Sequence, residues 1–233
     1  MKSAGMPNWR HTLKVSANLV GATQPIGISA ESAEELIAYA ARVSNPSNQS
    51  NHGTAEGLLK YCIRNKHWSV FEMANAVLEV KAPRDITRQL LRHRSFSFQE
   101  FSQRYSDEIE FTDRSYRRQD NKNRQNSVDD LSSEILKRTT HLAYRVKCAA
   151  QEAYRELRGY DVAKECSRVL LPEGLTMSTL YVNGTLRSWL HYLDVRDDEG
   201  VTQWEHVVLA RECKKALLPV FPTVVKLVGA DDD

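Results

Sequence analysis

The sequence predicts a helix-rich α+β fold in one domain, with a small and mostly antiparallel sheet. Several stretches repeat apolar residues at helical spacing, three stretches predict strands, and no internal repeat or low-complexity tract is present. The 233 residues, 41% of them hydrophobic, suffice to bury a real core. We therefore expect a single domain over 1–233, with 1–28 and 228–233 peripheral or flexible.

The first half of the chain predicts three helices and two strands. A short apolar pattern near 13–20 indicates one edge strand. Ser32 and Glu35 have the spacing of a capping box, which predicts a helix over 32–43. A helix over 54–64 and an alternating strand over 74–81 follow, and Pro83 suits the first turn of a helix that runs to about Leu91. The apolar face of the first helix would consist of Leu36, Tyr39, Ala40 and Val43.

The second half begins with a polar stretch, 106–130, which predicts a long mobile loop. We then expect a long helix over about 130–158, a shorter one over 161–171, a strand over 175–182 and a turn at Asn183-Gly184. The last helix would span roughly 203–218. The apolar stripe of the long helix would consist of Ile135, Leu142, Val146, Ala149, Ala153 and Leu157.

Between that turn and the last helix, Thr185 is predicted to cap a further helix. Its buried side would consist of Leu186, Trp189, Leu190 and Leu193. Arg187 and His191 are four residues apart, so they share a face and should point away from the core.

Composition excludes several classes of protein. The net charge of +2 is too small for a chain that coats DNA. No apolar run approaches the roughly 20 residues that a membrane helix needs, and the N-terminus lacks the apolar stretch of a secretory leader. The cysteines form no CxxC pair, which favours free thiols in the cytoplasm over a metal site. They are Cys62, Cys148, Cys166 and Cys213.

Positive charge is concentrated in residues 84–104, which contain five arginines and two acids. Such clustering costs repulsion unless an anion offsets it, and arginine matches phosphate through its planar fork of donors. A solvated helix face with surface ion pairs is the plainer interpretation. However, Phe96, Phe98 and Phe101 alternate with serines here, which favours a planar phosphorylated ligand.

The order of the motifs identifies a family. Arg92-His93-Arg94 is followed by seven residues and Ser102, and His67-Trp68-Ser69-Val70-Phe71-Glu72 precedes it. Later come the elements Arg168–Pro172, Arg187–Arg196 and Gln203-Trp204-Glu205. In these motifs the chain resembles the flavin-dependent thymidylate synthases over roughly residues 31–218.

The resemblance implies an enzyme that converts dUMP to dTMP. Methylenetetrahydrofolate would supply the carbon, FADH2 the hydride, and NADPH would re-reduce the flavin, with tetrahydrofolate released. The resemblance also implies a homotetramer whose active sites are shared between subunits. The absence of a GxGxxG fingerprint fits this expectation, because the FAD would then not lie on a Rossmann crevice.

Residue roles follow from the resemblance, position by position. Arg196 matches the catalytic position that polarises the pyrimidine, where a fixed cation stabilises charge on the ring and makes C5 nucleophilic without an enzyme thiol. The positions that match dUMP contacts are Gln89, Arg92, Glu100, Ser102, Arg104, Arg168 and Arg196. The positions that match FAD contacts are Ser69, Arg92, His93, Arg94, Glu100, Arg187 and His191.

Two departures and two alternatives stay open. The chain has two extra residues near Asn183 relative to many members, and His191 stands where many have asparagine. A module for RNA or single-stranded nucleic acid could use the basic and aromatic region 84–124. That hypothesis does not explain Glu100 or the ordered elements, and an enzyme-like fold without activity is a third reading. The arginines of 114–124 fit either a solvated loop or a lid over folate or nicotinamide.

Overall fold

The computed structural model describes residues 13–227. The helices are α1 (Ala33–Ala41), α2 (Ala55–Arg64), α3 (Arg84–Leu90), α4 (Ser133–Gly159), α5 (Lys164–Ser167), α6 (Leu186–Arg196), α7 (Trp204–Leu217) and α8 (Val224–Leu227). The strands are β1 (Ser16–Ala22), β2 (Asn75–Pro83), β3 (Ser97–Glu100), β4 (Arg118–Gln119), β5 (Ser127–Val128) and β6 (Met177–Thr185). The predicted α+β class with a small antiparallel sheet is confirmed.

The main sheet has four strands in the order β1-β2-β6-β3, so β1 lies at an edge as predicted. Hydrogen bonds at the strand ends show that the two central strands run in opposite directions. Leu186 N, just after β6, donates to Ala74 O, just before β2, while Arg84 N, just after β2, donates to Thr176 O. The strands β4 and β5 form a separate antiparallel pair.

The chain divides into two compact units. Within the described residues, the first consists of 13–15, Lys81–Leu90 and Glu100–Thr179. The second consists of Ser16–Val80, Leu91–Gln99 and 180–227. One domain over 1–233 stays a prediction, and residues 1–12 and 228–233, where flexible ends are predicted, lie outside the described part. Fully buried side chains of the second unit include Ile37, Leu59, Phe71, Leu78, Leu180, Trp189, Tyr192 and Phe221.

The burial predicted from the local sequence pattern is confirmed most clearly in β2 and α6. Alternate residues of β2 are buried, as the sequence predicts. Thr185 caps α6, because its hydroxyl accepts a hydrogen bond from Ser188 N at 3.2 Å. The buried side of α6 includes all the predicted positions, while Arg187 and His191 are exposed.

The predicted apolar face of α1 is wrong. Val43 lies beyond the helix and is 70% exposed, whereas Ala33, Glu34, Ile37 and Ala38 form the buried side. Glu34 is buried because one carboxylate oxygen accepts hydrogen bonds from the backbone N–H groups of residues 223 and 224, each at 2.9 Å. This contact joins residues far apart in the chain, so no local apolar pattern indicates it.

The predicted turn at Asn183-Gly184 is also wrong, since both residues lie inside β6. Gly184 is needed there for a different reason, because a Cβ atom at this position would lie 2.3 Å from Cδ1 of Phe96. The predicted helix over 161–171 is shorter: α5 is followed by a 3-10 turn over Arg168–Leu170. Residues 106–130 are largely irregular apart from β4, β5 and a bridge of Phe111 to Thr176.

The helix α4 has the predicted length but not the predicted burial. Ile135, Leu142 and Val146 of its stripe are 47%, 49% and 48% exposed, and only Ala150 and Tyr154 of the helix are buried. Within residues 13–227, no helix combines the length and the apolar character required to cross a bilayer.

Candidate active site

Phe96 anchors the basic segment 91–96 in the second unit. Its ring is 6% exposed and lies 4.5 Å from the ring centroid of Trp189 and 5.9 Å from that of Tyr192. The missing side chain of Gly184 gives the ring its space. Since β3 begins directly after Phe96, an aromatic anchor and a sheet strand together fix where the basic segment ends.

Arg196 ends α6, and its guanidinium group is bonded to the basic segment. Its Nε–H donates a hydrogen bond to Nε2 of His93 at 3.0 Å. An acceptor Nε2 requires a neutral imidazole that carries its proton on Nδ1. Burial, together with the positive charge of Arg196 and the charge of His191, lowers the pKa of His93 to about 4, so the ring is neutral at pH 7.

Three arginines at this end of α6 and in the basic segment have no acidic partner among the described residues. Within residues 13–227, Arg92, Arg94 and Arg196 form no ion pair. Arg196 is half-buried, and burial together with the charge of Arg92 lowers the pKa of its guanidinium. A half-buried cation that is also repelled by a second cation favours a bound anion.

Two buried polar rings that sequence reasoning did not assign lie behind His93. The ring of Tyr192 meets that of His93 edge to face at a centroid distance of 5.1 Å. The ring of His206 in turn lies 5.7 Å from that of Tyr192. Both side chains are fully buried. Burial, Arg196 and His93 lower the pKa of His206 to about 3, so it is also neutral at pH 7. The only available signal was position: each lies among the apolar residues of an amphipathic helix.

Two of the acids close to Arg196 in the chain, Asp197 and Glu199, are occupied elsewhere, and Asp194 and Asp198 form no ion pair with Arg196. Asp197 and Glu199 pair with Arg211 of α7, with Nε–Oδ1 and Nη1–Oε1 distances of 2.6 and 2.8 Å. The guanidinium of Arg211 also lies 5.8 Å from the ring centroid of Trp204. The positive charge of Arg196 is therefore left for a ligand.

Other residues that match FAD contacts lie on the surface of the same unit. Ser69 is exposed in a 3-10 turn over Trp68–Glu72, which Phe71 fixes by complete burial. Glu72 of this turn forms an ion pair with Arg187 of α6. The ion pair thus connects the turn that carries Ser69 to α6. The charges of Arg196 and His191 act on His93, and the charge of Arg92 acts on Arg196.

The remaining residues that match dUMP contacts belong to the first unit. Glu100 accepts a hydrogen bond from the buried hydroxyl of Ser178 at 2.7 Å, which fixes one carboxylate oxygen. Arg104 Nε lies 3.1 Å from Glu165, and the Ser102 hydroxyl accepts a bond from Arg104 N at 3.3 Å. Gln89 is half-buried on α3. Arg168 is half-buried and forms no ion pair with any described residue, and its convergence with Arg94 and Arg196 stays a prediction.

Two cavities lie along α4 in the first unit. One of about 630 Å³ is lined by residues such as Asp113, His141 and Lys147, and one of about 350 Å³ by residues such as Asp107, Tyr154 and Arg158. No residue with a predicted ligand role lines either of them. The arginines of 114–124 are largely paired: Arg114 binds Asp85 and Arg118 binds Asp130, which favours a structural role for this region.

Within residues 13–227, cations without acidic partners lie beside packed aromatic rings in an α+β fold, an arrangement that suits a planar anionic ligand. The chain matches the family model of the thymidylate synthase complementing protein over residues 28–223. It is 49% identical over 213 residues to a probable flavin-dependent thymidylate synthase of Paramecium bursaria Chlorella virus 1, covering 91% of this chain and 98% of that one. The chain belongs to the flavin-dependent thymidylate synthase family.

Two further comparisons agree. The flavin-dependent thymidylate synthase of Synechocystis is 47% identical over 193 residues, with 83% of this chain and 88% of that one covered. Among solved structures, the UMP/dUMP methylase PolB from Streptomyces cacaoi, bound with 5-Br dUMP, superposes with a TM-score of 0.77 at 26% identity. That match covers 92% of this chain and 94% of PolB.

Proposed function

We propose that this chain methylates C5 of dUMP to form dTMP. Methylenetetrahydrofolate supplies the carbon and leaves as tetrahydrofolate, while FADH2 supplies the hydride and NADPH restores the reduced flavin. Family membership and the likeness to a methylase bound with a dUMP analogue support the substrate. The single observation that carries the chemistry is the half-buried Arg196, fixed by a neutral acceptor and left without a carboxylate.

In this proposal Arg196 polarises the pyrimidine. Its Nε–H is used by His93, so the terminal N–H groups remain to donate to the carbonyl oxygens of the ring and to N3 in its deprotonated form. A fixed cation stabilises negative charge that develops on the ring, and this charge makes C5 a better nucleophile. The desolvated surroundings of Arg196 strengthen the interaction relative to water.

The residues also fit FAD. A dinucleotide carries a pyrophosphate, and Arg92 and Arg94 are exposed arginines that no described acid neutralises. Ser69 presents a hydroxyl from a rigid turn, and Arg187 and His191 add donors from α6. We propose that these side chains, with His93 and Glu100, hold the flavin.

For dUMP we propose a complementary set in the first unit. Arg168 lacks an acidic partner within residues 13–227 and offers a cation to the phosphate. Glu100, oriented by Ser178, accepts from a hydroxyl donor of the ligand, while Ser102, Arg104 and Gln89 add polar contacts. No cysteine nucleophile is needed, and burial raises the pKa values of the Cys62 and Cys213 thiols, which disfavours thiolates there.

The assay for this proposal uses the purified full-length chain. We expect a yellow protein with bound flavin, NADPH oxidation that dUMP stimulates, and dTMP formation that requires methylenetetrahydrofolate. Omitting each component in turn is the control. A colourless protein that takes up no FAD and shifts RNA in a gel would establish the nucleic-acid-binding alternative instead.

We further propose that the chain assembles as a homotetramer with shared active sites, in which the exposed stripe of α4 is buried between copies. A glutamate at Leu142 would place a charge in that apolar contact. Leu142→Glu is therefore expected to lower the mass measured by light scattering to that of a smaller assembly. Thr140→Glu is the control, because residues two apart point to different sides of a helix. A wild-type mass of one chain would overturn the proposal.

A further inference from the structure

The bond between Arg196 and His93 has a chemical feature that family membership does not assign. Arginines at anion sites are commonly held by carboxylates, yet here the acceptor is an imidazole nitrogen at 3.0 Å. A carboxylate at this position would pair with the guanidinium and cancel much of its field at the ligand. A neutral acceptor fixes the direction of the guanidinium and leaves its charge intact.

We propose that His93 is a positioning residue that acts through Arg196, as a neutral hydrogen-bond acceptor that aims the guanidinium without neutralising it. This inference rests on the proposed function, because it concerns how strongly Arg196 polarises the pyrimidine. Any direct contact of His93 with the flavin is a separate matter.

The surroundings of His93 suit such a role, because its ring is held on two sides. Tyr192 meets it edge to face with an interplanar angle of 83°, and Phe96 lies at a centroid distance of 6.3 Å. Tyr192 is fully buried and packs at 5.9 Å against Trp189, so it is itself fixed. A ring with little freedom transmits its orientation to the group bonded to it.

The groups that interact electrostatically with His93 and Arg196 come from three elements, and none of these groups is a carboxylate. The basic segment contributes Arg92, α6 contributes His191 and Tyr192, and α7 contributes His206. The nearby acids Asp197 and Glu199 are bound by Arg211. Among residues 13–227, Arg196 is therefore left positive and without a carboxylate partner.

The decisive comparison uses three substitutions of His93. Glutamine offers a neutral acceptor, glutamate offers an acceptor of the same length with a negative charge, and methionine offers no comparable acceptor. All three lose the imidazole, so differences among them do not reflect the lost ring. Turnover per bound flavin at saturating dUMP is the measurement, with thermal unfolding as a check on folding.

We expect His93→Gln to keep turnover within about tenfold of wild type, and His93→Glu to lose a further factor of about 10². The turnover of His93→Met should lie between these two, because the positive charge of Arg196 persists but the direction of its guanidinium is no longer fixed. Equal turnover of His93→Gln and His93→Glu would overturn the proposal. So would a His93→Met protein as active as His93→Gln.

Two further measurements do not depend on turnover. In an Arg196→Met background, the difference in dUMP affinity between glutamine and glutamate at position 93, measured by calorimetry, should shrink. A difference that persists unchanged without Arg196 contradicts the proposal. Nitrogen NMR of the wild type at pH 7 should show His93 protonated on Nδ1 only, and a proton on Nε2 would also refute it.

The experiments distinguish a failure of the proposed function from a failure of this inference. A wild-type protein that makes no dTMP overturns both the function and this inference. A wild-type protein that makes dTMP while the three variants behave alike overturns the inference alone.

Discussion

Arg196→Ala is expected to keep its flavin and to lose dTMP formation by a factor of about 10²–10³. The side chain leaves the end of α6, where it contacts ring nitrogen Nε2 of His93 rather than the apolar core. Its removal therefore deletes the charge that we propose polarises the pyrimidine, without opening a large cavity. Quantification of dTMP per bound flavin measures the loss, and the visible absorption of the purified variant reports flavin retention.

Two matched variants separate charge from geometry. Arg196→Lys keeps the charge but loses the planar fork and the Nε–H donor to His93, so its activity should lie between alanine and wild type. Arg64→Ala removes an equal charge from the exposed end of α2, where no described residue pairs with it, and should behave as wild type. Wild-type turnover in Arg196→Ala would remove this residue from the mechanism.

The sequence predicts those elements whose signals are local. In β2, alternation alone indicates which side chains are buried. In α6, the Thr185 cap and the helical spacing predict both the buried side and the outward direction of Arg187 and His191. These predictions succeed because the deciding interactions are between residues a few positions apart.

Long-range contacts account for the failures. The side of α1 that faces inward is decided by Glu34, whose carboxylate binds backbone groups at residues 223 and 224. The predicted burial of the α4 stripe is wrong, because Leu142 and Val146 are half exposed and no residue of the stripe is buried. A periodic pattern indicates that a face is apolar and does not say which partner covers it.

The predictions for the candidate site show the same difference between local signals and long-range contacts. The motif order suggests Arg92, His93 and Arg196 as site residues, but it says nothing about the bond that joins two of them. Tyr192 and His206 escape sequence reasoning because their positions in α6 and α7 are those of ordinary core residues. Their relevance arises only from the three-dimensional contact with His93.

Gly184→Ala is expected to destabilise the protein, although it adds one methyl group. The new Cβ would lie 2.3 and 2.4 Å from two carbons of the Phe96 ring, well inside van der Waals contact. The ring cannot retreat freely, because it is buried and its centroid lies 4.5 Å from that of the Trp189 ring. Overpacking of this kind costs about 1–3 kcal/mol, which corresponds to a fall in Tm of roughly 2–12 °C for a chain of this size.

A second substitution tests the cause of this loss. Phe96→Leu shortens the colliding side chain, so the double variant should be less destabilised than the sum of the two single variants. The control is Gly57→Ala in α2, where no atom lies within 4 Å of the new Cβ and alanine should stabilise the helix by about 0.4–1 kcal/mol. Because Phe96 anchors the basic segment, Gly184→Ala should also weaken flavin retention, and Phe96→Leu should partly restore it. Additive effects on Tm would mean that the ring contact is not the origin of the strain.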